Sequence, residues 1–312
     1  MKWKKFLPII GIGIFIYILI KINLLEVFEE IRQANLMLLF FAILVLFVYL
    51  FIQTFKWYIL ARKQKLRIPY FEAFKINFIA TFYGFITPSR IGSIIRADYL
   101  KKYGPLEKGV SNYIIDKVID LFALFFLAIF FGYLFKDTFH FASFYYILIF
   151  FSVFVILSIL FYNKKTSKAI LGVFYRRLVP KKLKERAKLA FEEVYRDLPK
   201  KRFLFLIFLI SLFSWMVIYL VTYLVGTSLG INLKFMYFLA ILPIATLVAQ
   251  IPITINGFGT REAILISLFS LFDISSARVF SMAILSLFIS GVLPGVIGGI
   301  LIFKKKPNPK KE

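Results

Sequence analysis

The chain has 312 residues, of which 61% are hydrophobic and 19% aromatic, with a mean hydropathy of +0.84 and a formal net charge of +24. So little polar surface cannot solvate a globule, and the apolar residues come in runs near the ~20 residues that cross a bilayer core as a helix. There is no cysteine and one histidine, His140, which excludes disulfides, thiolate or histidine metal clusters and His-based triads, so neither a metal nor a cofactor is expected.

The pattern predicts an all-α, polytopic helical membrane protein, residues 1–312 forming one transmembrane domain. The start, MKWKKFLPIIGIGIFIYILI, resembles a signal peptide, but its apolar stretch is long and lacks a small-residue cleavage site. It reads as an uncleaved first span, Phe6 to Ile22. A short amphipathic piece, LLEVFEEIRQAN, follows. Span two runs from Leu36 to Leu60 and ends in the basic cluster KWYILARKQKLR. Residues 70–103 are apolar but broken at ITPSRIG. Span three is Val110 to Phe135 and span four Phe144 to Tyr162. Residues 163–202 form a basic loop in which Leu183, Ala187, Ala190, Phe191 and Val194 recur at helical spacing between Pro180 and Pro199, an amphipathic interfacial helix. Span five is Phe203 to Gly226. Residues 234–272 are apolar but broken at IPITINGFGTRE, and span six is Ala277 to Phe303, before the tail KKKPNPKKE.

Lysine and arginine collect at the N-terminus, in KQKLR, in 163–202 and in the tail, which puts these segments and both termini in the cytoplasm. The partner implied by the charge is an anionic lipid surface, not nucleic acid, because the charges sit between apolar runs. With six full spans, each broken segment must return to the side it left. Parity alone allows a re-entrant hairpin or two short crossing helices; the short arm from Arg90 to Tyr103, roughly 21 Å as a helix, favours hairpins at 70–103 and 234–272. Irregular backbone at membrane depth requires burial in protein or a water-filled cavity.

The two broken segments resemble each other. IATFYGFITPSRIGSIIRAD and IATLVAQIPITINGFGTREA align without gaps, matching Gly92 with Gly257 and Arg96 with Arg261. The flanking spans correspond as well, giving repeat 1 over 36–135 and repeat 2 over 203–303 with opposite orientation. Inverted repeats with broken helices place substrate sites where the breaks meet.

Arg90, Arg96 and Arg261 lie in or beside apolar stretches, where an arginine costs roughly 2.5–3.5 kcal/mol and so faces a cavity or an anion. Their planar fork suits phosphate. Gly92, Gly257 and Gly259 allow close backbone approach and offer N–H groups at a helix start. Pro88, Pro252 and Asn256 make the breaks. Two readings stand: an anion pocket, or structural pairing of Arg96 with Asp98 or Asp116 and of Arg261 with Glu262. Asp116 and Asp120, spaced i, i+4 on one helix face, fit ion pairs with the arginines, a proton relay or a cationic headgroup site. No nucleophile or phosphate loop accompanies them, so an enzyme is not expected.

The motifs FITPSRIGSIIRADYLKKYG, YIIDKVIDLFALFFL and IPITINGFGTREAILISLF resemble the lysylphosphatidylglycerol synthase transmembrane-region family, the flippase-like membrane domain of the multiple peptide resistance factor. Pro88, Arg90, Gly92 and Arg96 match its first motif. Asp116, Lys117 and Asp120 stand where its second usually reads Glu-Arg-x-x-Asp. Pro252, Gly257, Gly259, Arg261 and Glu262 match its third, with Asn256 replacing a glycine. The resemblance implies translocation of a lipid across the cytoplasmic membrane, without the soluble transferase domain of large members. The lipid would be an anionic phospholipid or a polyprenyl phosphate lipid, its phosphate held by Arg90, Arg96 and Arg261 and its charges balanced by Asp98, Asp116, Asp120 and Glu262. A non-transporting partner of a lipid- or glycan-modifying enzyme is the alternative, and a headgroup transferase the third. A homo-oligomer is compatible with all three.

Overall fold

The computed structural model describes residues 15–87, 90–136, 184–196, 198–251 and 257–304, with scattered residues between 148 and 166. Most of the expected fourth span, the start of the first, most of the early part of the basic loop and the tail lie outside the described residues. Every regular element that is described is helical: α1 (Leu24–Arg32), α2 (Leu36–Lys63), α3 (Tyr70–Phe85), α4 (Ile95–Leu100), α5 (Leu106–Leu134), α6 (Lys184–Arg196), α7 (Lys201–Ser228), α8 (Phe235–Gln250), α9 (Thr260–Phe269), α10 (Ser276–Leu287) and α11 (Leu293–Lys304). The fold is all-α, as composition required.

Among the described residues, three helical stretches are long and apolar enough to cross a membrane: Leu36–Lys63, Lys201–Ser228 and Ser276–Phe303. Helix α5 has the length, 29 residues, but carries Asp116, Lys117 and Asp120 in its middle. Span six is not the uninterrupted helix expected. A π-helical turn at Phe288–Val292 separates α10 from α11, and a turn of that kind re-aims the side chains beyond it.

Helices α2 and α7 pack along each other and run antiparallel. The Asn35 amide donates to the Ser228 carbonyl at one end (2.9 Å), and Lys63 lies over the Phe203 ring at the other, 5.6 Å from its centroid. Each spans 28 residues, and α3 and α8 each span 16. One constant offset in residue number relates the starts of α2 and α7, of α3 and α8, and the pairs Gly92–Gly257 and Arg96–Arg261. Packing follows the same correspondence: α3 lies on α11 and α8 on α5, while α4 packs on α5 and α9 on α10.

Contacts tie the elements together at both ends of the bundle. Lys108, just inside α5, donates to the carbonyl of Gln64 (3.2 Å), which caps the end of α2. At the opposite end, the rings of Tyr237 and Phe272 stand 4.9 Å apart, joining the start of α8 to the end of its segment. The basic end also holds α6, which packs on α5 and whose buried Glu193 reaches Lys108 at 4.0 Å and pairs with Arg196. Opposite, α1 is fixed by a bidentate Arg278–Glu30 pair at 2.8–3.0 Å.

The apolar core runs between the halves, from Leu46 and Leu50 of α2 through Val221 and Val225 of α7 to Phe238 and Ala245 of α8. Small residues permit the closest crossings. A Cβ on Gly298 of α11 would come 2.1 Å from the Phe78 carbonyl of α3, the close approach that glycine gives membrane helices.

Candidate functional site

An open cavity lies where Arg90 and Arg261 of the two breaks come together. Three long helices and three shorter pieces build it. Tyr49 comes from the midpoint of α2. Trp215, Ile218, Tyr219 and Thr222 recur at i, i+3, i+4 and i+7 and so share one face of α7. Thr246, Ala249 and Gln250 come from the last turn and a half of α8. Arg90, Arg261 and Ser290 complete the wall, the last from the π-helical turn.

The arginines arrive from corresponding places. Arg90 precedes the 3₁₀ turn Ile91–Ile94 in a left-handed conformation, φ 54°, which costs a non-glycine residue about 1–3 kcal/mol. Arg261 sits in the first turn of α9, after Gly257 and Gly259 at φ 82° and 83°. Among the described residues no carboxylate stands within ion-pairing distance of the Arg261 guanidinium. Tyr219 donates its hydroxyl to Thr246 Oγ1 at 3.1 Å, and Thr246 donates onward to the Leu242 carbonyl at 2.7 Å.

Arg96, the repeat-1 counterpart of Arg261, is placed differently. It is buried in a cluster of four charges and lines no part of the cavity. Its Nη1 and Nη2 donate to one Asp116 oxygen at 3.1 and 3.2 Å, with the guanidinium 4.7 Å from the Trp57 ring centroid and 5.5 Å from that of Tyr113. Lys56 pairs with the other Asp116 oxygen at 3.1 Å and with Asp120, which also accepts from Ser211 of α7. Two cations and two carboxylates thus balance in a water-poor place, where leaving any one unpaired is costly.

Several expectations change. Of the two acids offered to Arg96, Asp116 takes it; Asp98 is exposed and pairs with Lys101. Glu262 does not pair with Arg261 but accepts from the Gly259 amide at 2.7 Å, closing the start of α9. The Gly92 amide is also taken, donating to Thr87 Oγ1 at 2.7 Å. These two helix starts satisfy their own donors, so the amides of Gly92 and Gly259 are not open to an anion. Gly92 is there for space, because a Cβ would stand 2.2 Å from the Tyr83 carbonyl. Gly257 packs against Ala249 and accepts from the Arg261 amide at 2.8 Å. Pro88, Pro252 and Asn256 lie outside the described residues.

Sequence reasoning missed Lys56, read as part of the basic end of span two although it is 1% exposed. A lysine inside the run FIQTFKWYIL needs an acid partner, and that was the available signal. The cavity walls Tyr49, Trp215, Tyr219, Thr246 and Gln250 gave none, because aromatic and hydroxyl side chains are ordinary in spans.

Residues 8–298 match the family described as the lysylphosphatidylglycerol synthase transmembrane region. A UPF0104 membrane protein of Pyrococcus horikoshii is 24% identical, covering 97% of each chain. A family match over nearly the whole length joins the apolar helices in making this a membrane protein, and the chain belongs to the lysylphosphatidylglycerol synthase transmembrane-region family.

Proposed function

We propose that the chain moves an anionic, phosphate-bearing lipid between the leaflets of the cytoplasmic membrane, without covalent chemistry on it. The observation that carries this reading is the cavity at the midpoint of α2, where Arg90 and Arg261 of the two helix breaks line one space. Both breaks are read as re-entrant hairpins, and the antiparallel α2–α7 pair as the axis of an inverted repeat. Rocking one repeat against the other opens the cavity to each side in turn. The two guanidiniums hold the phosphate, and the acyl or prenyl chains stay in the bilayer. The basic end, with α6, faces the cytoplasm, as the distribution of lysine and arginine favours.

Fluorescent phosphatidylglycerol in proteoliposomes, followed by chemical quenching of the outer leaflet, tests this. Arg261→Gln and Arg90→Gln each lower the rate of leaflet exchange at least tenfold. Unchanged rates in both variants would remove the site.

A second reading makes the chain a non-transporting partner of a lipid- or glycan-modifying enzyme. It is favoured by α6, an amphipathic helix within the basic loop, whose Leu189 is exposed. Purified protein that moves no lipid by itself would promote it.

A further inference from the structure

Resting on the lipid-binding reading of the cavity, we infer that its ligand is a phosphate carrying an uncharged, hydroxyl-rich head, such as glycerol, an inositol or a sugar, and not an aminoacyl or choline head. Three observations lead there.

The first is the charge of the walls. The described lining residues include two guanidiniums and no carboxylate. The nearby acids are engaged elsewhere: Asp116 and Asp120 by Arg96 and Lys56, and Glu262 by the Gly259 amide. With the phosphodiester offsetting only one of the two guanidinium charges, an ammonium on the head would sit beside a wall that stays net positive, in a medium that screens poorly.

The second is the aromatic wall of Tyr49, Trp215 and Tyr219, with the rings of Trp215 and Tyr219 5.7 Å apart and inclined by 32°. Aromatic faces accept cations and also the C–H faces of polyols. The guanidiniums decide between the two in favour of the uncharged head.

The third is spare hydrogen-bonding capacity. Among the described residues the Tyr49 hydroxyl and the Gln250 side-chain amide make no hydrogen bond, although both line the cavity. Thr222, Thr246 and Ser290 add three hydroxyls. Polar groups on a cavity wall without protein partners favour a head that supplies hydrogen-bonding groups over one that has none, and a hydroxyl-rich head supplies them without adding positive charge.

The test is a binding panel on the purified protein with short-chain phosphatidylglycerol, phosphatidylinositol, lysylphosphatidylglycerol, phosphatidylcholine and phosphatidylmethanol, the last having the same phosphate charge and no hydroxyls. Phosphatidylglycerol and phosphatidylinositol are expected to bind at least tenfold tighter than the lysyl and choline lipids, and about fivefold tighter than phosphatidylmethanol. Gln250→Leu is expected to erase the margin over phosphatidylmethanol. Equal affinity for lysylphosphatidylglycerol, or for phosphatidylmethanol, overturns the inference, and the unmodified protein decides it even where the variant does not fold. Free sn-glycerol 3-phosphate is a further arm: binding as tight as that of phosphatidylglycerol overturns the lipid reading and leaves the head-group preference standing. Selective binding without leaflet exchange does the same.

Discussion

At the scale of single residues, the structure separates two arginines that the sequence treats as equivalents. Arg96 is neutralised by Asp116 and clamped over Trp57, whereas Arg261 lines the cavity. Arg96→Gln leaves Asp116 short of a partner and lowers thermal stability in detergent. Arg261→Gln leaves stability within about 1 kcal/mol and lowers lipid transfer. A melt that ranks the two variants the other way contradicts this division. Lys56 makes the sharper case. Lys56→Met strands Asp120 and half of Asp116, a loss of about 3–5 kcal/mol, and adding Asp120→Asn restores much of it. Additive losses in the double variant would mean that the pair is not coupled. The motif around Arg96 and Arg261 was legible because charge in an apolar run stands out. The division of labour was not, because it depends on which acid lies across the bundle, and Asp116 and Asp120 are spaced for either role.

At the scale of elements, boundaries followed from hydropathy: span two, expected to end at Leu60, ends at Lys63, and span five, expected to end at Gly226, ends at Ser228. The amphipathic helix read within 163–202 is α6. The π-helical turn was illegible, since nothing in SLFISGVLPG marks an extra residue in a helix. It brings Ser290 to the cavity while the same stretch packs on α3. Glycines on α11 differ by position. Gly298→Ala drives a Cβ to 2.1 Å from the Phe78 carbonyl and costs about 1–3 kcal/mol. Gly295→Ala meets nothing within 4 Å and is neutral or stabilising by up to about 1 kcal/mol. Paired thermal melts check the contrast, and equal effects would refute the close α3–α11 crossing.

At the scale of the whole molecule, α2 packs on α7, α3 on α11 and α8 on α5, so corresponding helices of the two halves meet corresponding partners. The gap-free matching of the two breaks has the same offset in residue number as the starts of α2 and α7 and of α3 and α8. The antiparallel contact of α2 and α7 came only with the fold, because a bond such as that from Asn35 to Ser228 is invisible in one dimension. One half supplies a neutral brace of Lys56, Arg96, Asp116 and Asp120; the other presents Arg261 to the open space.

Among the described residues the cavity wall holds guanidiniums and no carboxylate, which gives the proposed transport an electrical consequence. The protein's own charges return to their places after each cycle, so the net charge carried across is that of the lipid. Transport of a monoanion is then electrogenic. A voltage of 100 mV acts on it with about 2.3 kcal/mol, roughly fifty-fold in the distribution between leaflets. An interior-negative voltage drives the anion outward. In vesicles clamped by valinomycin and a potassium gradient, phosphatidylglycerol is expected to accumulate on the positive side, with phosphatidylcholine indifferent. A distribution blind to the imposed voltage would mean that a cation travels with each lipid.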